Sequence, residues 1–231
     1  MARPKKGDQI INMAEAIKAA AWNQIAKRGA PGLSLRAIAR ELEITAPAIY
    51  NHFHRRDDLV TALIVDAYTS LGISQRIAIN TLPVTDFEGR FTALGLAYRE
   101  WAITYPQRYQ LIFGTPIPNY VAPEEVTLPV ATESLLPLLE TIQSFSAGNR
   151  LRLDRISPLT VDLESMLTTW QELAEGVDLE VLYATLVTWS RVHGLVSMEI
   201  CNHFPSAIID PGEIFRREIK NLLIQYLKEQ G

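Results

Sequence analysis

Residues 32–60, GLSLRAIARELEITAPAIYNHFHRRDDLV, constrain the fold more than any other part of the chain. Ser34 is a helix N-cap type, and the apolar Leu35, Ile38, Ala39 and Leu42 follow it at helical spacing. Thr45 offers a second cap. Pro47 falls in the first turn of the next helix, where its missing N–H matters little. Ile49 and Phe53 give that helix a buried edge, and Asp57 and Asp58 favour the start of a third. Two short helices joined by a tight turn make a helix-turn-helix, whose second helix lies in the DNA major groove. Its other face carries Ala46, Ala48, Tyr50, Asn51 and His52, small or hydrogen-bonding groups able to approach DNA.

The flanking sequence completes an all-α expectation. Ile10, Ala14, Ile17, Ala21 and Ile25 recur every three or four residues, which predicts an amphipathic helix over 8–28. Gly29 ends it and Ala30, Pro31 and Gly32 turn the chain. The helix opened by Asp57 and Asp58 should run on to about Ile79 as a connector. Pro83 breaks the chain, and further helices are expected over 86–104, from Pro106 through Tyr109 and Phe113, and over 124–145, with Pro129 or Pro137 as kink points. Loops are expected over 114–123 and 146–157, then helices over 159–175, 179–203 and 211–228. No strand alternation stands out. The expected organisation is a three-helix DNA-binding domain, 1–60, and a larger helical domain, 61–231.

Charge is unevenly shared along the chain. Residues 1–60 hold ten Lys/Arg and six Asp/Glu, a formal +4; the remainder holds twelve and twenty, a formal −8. Binding to nucleic acid follows local potential rather than the acidic total. Arg3, Lys5 and Lys6 form either a basic arm or a solvated tail. Cys201 is the single cysteine, so no intrachain disulfide exists, which suits a reducing cytoplasm. No apolar run approaches the ~20 residues of a membrane span, and no signal-peptide core is visible. A cytoplasmic protein without membrane contact is expected. Glycine-rich phosphate loops, GxSxG, HExxH and CxxC are all missing, so neither an enzyme nor a cofactor is expected.

Leu33-Ser34-Leu35, Ile38-Ala39, Ala48-Ile49-Tyr50-x-His52-Phe53 and Arg56-x-Asp58-Leu59 together resemble the DNA-binding domain of the TetR family of bacterial repressors. The likeness covers roughly 10–63. Glu43 stands where that family usually has a turn glycine, so a non-glycine residue must take positive φ. Arg56 stands where a lysine is usual; both meet phosphates, but Arg does so bidentately. The resemblance implies that Arg36, Ala46, Pro47 and Ala48 face base edges, while Ser34, Thr45, Tyr50, His52 and Arg56 hold phosphates. Asn51 can do either, and Tyr50 can equally brace Phe53.

Farther along, Tyr98-Arg99-x-Trp101-Ala102, Pro106-x-x-Tyr109 and Trp189-x-x-x-His193-Gly194 resemble the WHG-type ligand-binding domain of one TetR branch over roughly 91–203, which implies that 61–231 is a ligand-binding and dimerisation domain. Tyr98, Trp101, Tyr105, Tyr109 and Phe113 recur at three- to four-residue steps and could line one side of a cavity. Met166, Trp170, Trp189 and His193 could line the other. An ordinary aromatic core explains the same pattern. His193 has a structural, a ligand-contacting and a metal-binding reading, the last with Cys201 and His203. His203 falls off the face shared by the other two, so no metal site is expected.

Leu182, Leu186, Trp189, Val192 and Val196 form one apolar stripe near the C-terminus; Ile214, Phe215, Ile219, Leu222, Leu223 and Tyr226 form another. They serve either the protomer's own core or a four-helix dimer interface built from 179–203 and 211–228. The expectation is a homodimeric repressor on palindromic double-stranded DNA, released by an unidentified small molecule. A tenfold release needs about 1.4 kcal/mol of differential binding. An activator or architectural protein without inducer is the alternative, and a metal sensor a more distant one.

Overall fold

A computed structural model of the chain describes residues 6–171 and 176–228, apart from the side chains of 6–12, Ala46 and Leu153. The described residues form ten α-helices: α1 (Lys6–Arg28), α2 (Leu35–Glu41), α3 (Ala46–Tyr50), α4 (Arg56–Asn80), α5 (Phe87–Thr104), α6 (Pro106–Phe113), α7 (Glu124–Ala147), α8 (Val161–Gln171), α9 (Leu179–Ile200) and α10 (Pro211–Tyr226). No strand occurs among them; an isolated antiparallel bridge pairs Leu151 with Leu227. Arg3 and Lys5 of the expected basic arm lie outside the described residues, as does the side chain of Lys6. Helix α7 continues through both Pro129 and Pro137. Helix α9 stops at Ile200 rather than 203 because Asn202 turns left-handed, φ 55°.

The packing resolves into two compact units. One comprises residues up to Ser70 together with Tyr105–Ala131, and the other Leu71–Thr104 together with the chain from Thr132 onward. The expected division at residue 60 differs from this because Leu63, Ile64 and Ala67 of α4 and Ile117 beyond α6 are buried in the first core, with Leu111 and Ile112 packed on it. Periodicity within α4 could not show where its apolar face changes neighbours.

In the first unit, Ile17, Ala21, Trp22 and Ile25 of α1 bury against Leu35, Ile38 and Ala39 of α2, Ile49 of α3 and Leu59, Val60 and Leu63 of α4. Each large aliphatic side chain so buried stabilises by about 1.5–3 kcal/mol. Polar ties fix the angles between these helices. Lys18 Nζ lies 2.8 Å from Asp66 Oδ2, joining α1 to α4. The buried Gln24 accepts from the backbone N–H of Ser34 at 3.2 Å, joining α1 to the start of α2. Tyr109 and Phe113 of α6 stack edge-on at 5.2 Å, and Phe113 meets Tyr68 of α4 at 5.9 Å.

In the second unit, Phe91, Leu94, Tyr98 and Trp101 of α5 are buried, as are Leu138, Leu139, Ile142 and Phe145 of α7. Phe91 and Phe145 meet at 5.8 Å. Helices α9 and α10 turn Leu182, Val192, Val196, Phe215, Ile219, Leu222 and Tyr226 inward, so most of the two C-terminal stripes serve the protomer's own core. Leu186, Met198 and Ile224 stay exposed at 39, 37 and 68 %. At the mouth of this core Arg99 donates from Nε to Glu199 at 2.8 Å, linking α5 to α9, and stands over the ring of Phe215 on α10 at 6.0 Å.

Candidate nucleic-acid interface and interior cavity

The geometry of the helix-turn-helix is set at its turn. Ile44 N–H donates to Ala39 O at 3.0 Å and Glu43 N–H to Arg40 O at 3.3 Å, the paired bonds that close a helix on a left-handed residue. That residue is Glu43, with φ 54°. Ser34 caps α2, its Oγ accepting from Ala37 N–H at 3.4 Å. Thr45 precedes α3 as expected, but its side chain caps nothing. Pro47 has no N–H to offer it, and the N–H of Ala48 goes to the backbone carbonyl of Thr45 at 3.0 Å.

Ile49 is fully buried and Phe53 nearly so, which turns the rest of α3 outward. Thr45, Pro47, Tyr50 and Asn51 are exposed, together with Arg36 on α2; Ser34, Ala48 and His52 are half-buried. The side chain of Ala46 lies outside the described residues. Arg40, exposed in the last turn of α2, is a further cation on this surface that the spacing of the motif did not single out.

Arg56 is placed differently from a free phosphate clamp. Its Nε donates to Leu33 O at 3.2 Å and its Nη2 to Ala30 O at 2.9 Å, so the guanidinium ties the start of α4 to the turn before α2. Nη1 stands 3.6 Å from Asp57. The planar fork reaches two carbonyls at once, which a lysine ammonium on a flexible stem does less well.

The aromatic residues expected around one cavity separate. Tyr98 and Trp189 line a small, partly open space of about 20 Å³ in the second unit, with Gln75, Phe91, Leu94, Gly95, Leu135, Leu138, Thr188, Val192 and Ile219. His193 adjoins it: Nδ1 is 2.9 Å from the Tyr98 hydroxyl, and its ring centroid is 5.1 Å from that of Trp189. Which atom donates in the Tyr98–His193 pair follows the ring tautomer. Burial lowers the pKa of His193 below its ordinary 6.5, favouring neutral imidazole.

Trp101 is buried but does not line this space. Tyr105, Tyr109 and Phe113 belong to the first unit. The chain breaks between α5 and α6 at Tyr105 (φ −126°, ψ 58°), so their spacing does not continue one helical face. Tyr105 lies under the guanidinium of Arg108 at 4.5 Å. On α8 the inward residue is Leu167, which leaves Met166, one position away, 69 % exposed, and Trp170 half-buried. Gln75, Gly95 and Thr188 are lining residues that sequence spacing did not identify. Among the described residues no group of three His, Cys, Asp or Glu side chains could hold a metal ion, and no helix is long and apolar enough to cross a membrane.

The chain resembles known proteins over most of its length. Residues 17–63 match the family described as "Bacterial regulatory proteins, tetR family", and residues 91–222 match "Tetracyclin repressor-like, C-terminal domain". The HTH-type transcriptional regulator Rv1816 of Mycobacterium tuberculosis is 33% identical over 210 residues, spanning 89% of this chain and 88% of that protein. Mb1846 of Mycobacterium bovis, another HTH-type transcriptional regulator, is similar to the same degree. The crystal structure of the regulatory protein SCO4313 superposes with a TM-score of 0.78 at 33% identity, over 95% of this chain and 99% of that one. A tetR-family regulatory protein from Rhodococcus RHA1, 16% identical with a TM-score of 0.64 over 94% of this chain and 98% of that one, shares the fold.

Proposed function

The chain belongs to the TetR family of bacterial regulatory proteins and is a DNA-binding transcriptional regulator rather than an enzyme; from that premise we propose that it is a cytoplasmic, homodimeric repressor released from a palindromic operator by a small molecule. The observation that carries this reading is the outward face of α3. Ile49 and Phe53 anchor the helix while Thr45, Pro47, Tyr50 and Asn51 stay accessible. Arg36, Ala46, Pro47 and Ala48 are assigned to base edges, and Ser34, Thr45, Tyr50 and His52 to phosphates, with Asn51 able to serve either. Arg56 supports the surface from behind. Leu186, Met198 and Ile224 on α9 and α10 supply apolar surface for a second copy. The effector is assigned to the space beside Tyr98, Trp189 and His193.

Selection of bound sequences from random double-stranded DNA tests the reading. A two-fold symmetric site should emerge for the wild type. Arg36→Ala should relax the sequence preference, and Tyr50→Ala should weaken selected and random DNA alike. An unchanged specificity profile for the Arg36 variant refutes that division of roles, and sedimentation as a monomer on the selected site refutes the dimer.

The small size of the interior space favours a second reading, a regulator that needs no inducer. Loss of operator binding on addition of a small-molecule extract, restored by dialysis, would exclude it.

A further inference from the structure

Six threonines on the helices, Thr61, Thr127, Thr141, Thr168, Thr169 and Thr185, donate their hydroxyl to the backbone carbonyl four residues earlier, at 2.7–3.3 Å. Thr188, one turn after Thr185 on α9, does not. It is 1 % exposed, it lines the interior space of the second unit, and its hydroxyl meets no partner among the described residues. Leaving a buried hydroxyl unpaired is destabilising when a bond to the preceding turn is within reach of the side chain.

The surroundings of Thr188 define the chemistry that would satisfy it. Phe91, Leu94, Leu135, Leu138, Val192 and Ile219 present hydrocarbon, and no charged side chain lines the space. Of the other polar groups, Gln75 spends its amide N–H on Ser134 O at 2.9 Å, and the Tyr98 hydroxyl is held by His193. A charged ligand would be desolvated here with no counter-charge. We propose that this space binds an uncharged, mainly apolar molecule that carries one hydrogen-bonding oxygen, and that Thr188 is the group which recognises that oxygen. The proposal deepens the effector reading above and rests on it only for the consequence at DNA.

At about 20 Å³ the space holds little more than a water, so the ligand must part its walls. Trp189 and Leu135 are the half-buried lining residues, the others being buried, and Trp189 is the lining tryptophan. Trp189 is therefore the optical reporter of binding.

The test titrates the full-length protein with p-cresol, toluene and benzoate, following tryptophan fluorescence and thermal unfolding. Cresol should bind about fivefold more tightly than toluene, the worth of one net hydrogen bond, and benzoate should not bind. Thr188→Val, of equal shape, should fold at least as stably as wild type and bind cresol and toluene alike; Thr188→Ser should keep the preference. Failure of both neutral probes to bind overturns the inference. So does an equal response to them in wild type, a preference that survives in Thr188→Val, or benzoate binding. A Thr188→Val protein less stable than wild type also overturns it, because the hydroxyl would then be satisfied without ligand. Operator affinity is measured separately by fluorescence polarisation. Cresol binding through Thr188 with unaltered operator affinity upholds the inference and refutes release by an effector.

Discussion

The hydroxyl of Tyr98 on α5 lies 2.9 Å from Nδ1 of His193 on α9, so two residues far apart in sequence share one hydrogen bond at the edge of the interior space. Burial holds the imidazole pKa below 6.5. The unfolded chain therefore takes up a proton at this site at a higher pH than the folded protein does. Stability should fall as pH drops through the ordinary imidazole value of 6.5 towards the lower folded one. Urea unfolding from neutral to acidic pH checks this: His193→Asn should show a shallower loss than wild type.

Arg56→Ala should lower stability by about 1–3 kcal/mol, since two backbone carbonyls lose a charged donor. Arg56→Lys should recover only part of it. Denaturant unfolding gives the stabilities. Operator binding should fall in step with them, and a variant of wild-type stability with lost DNA binding would show that the guanidinium acts directly on phosphate.

Glu43→Gly should raise stability by about 1 kcal/mol, because φ 54° strains any residue with a β-carbon. Thermal unfolding reads the change, and a lower midpoint would show that the carboxylate makes a compensating contact.

Arg99→Ala should cost about 2–3 kcal/mol, leaving Glu199, whose side chain is only 17% exposed, without its cation. Glu199→Gln keeps an acceptor for the guanidinium and should cost less. Chemical denaturation of the two variants checks the order.

The elements were largely legible in the sequence because their signals are local. Ile17, Ala21 and Ile25 mark one face of α1, Pro106 starts α6, and Ser34 caps α2. The turn at Glu43 was legible too, through the family glycine it replaces. The interior space was not. Met166 and Leu167 differ only in helical phase, and phase is decided by what α8 packs against. Tyr105 to Phe113 keep a helical spacing across a break in the helix. Thr188 looks like its neighbour Thr185 until the hydroxyls are followed to their partners. The partners of Arg56 lie 23 and 26 residues back, beyond any local pattern.

A β-carbon at Gly95 would stand 2.5 Å from Cδ1 of Ile219. Gly95→Ala therefore needs the Ile219 side chain to turn aside or to be shortened, as in Ile219→Val, which alone costs about 0.5–1.5 kcal/mol. The route through Ile219→Val passes through a protein with a roomier chamber than either endpoint. Along that route two residues lining the interior space would exchange a methyl group, the first change widening the space and the second refilling it.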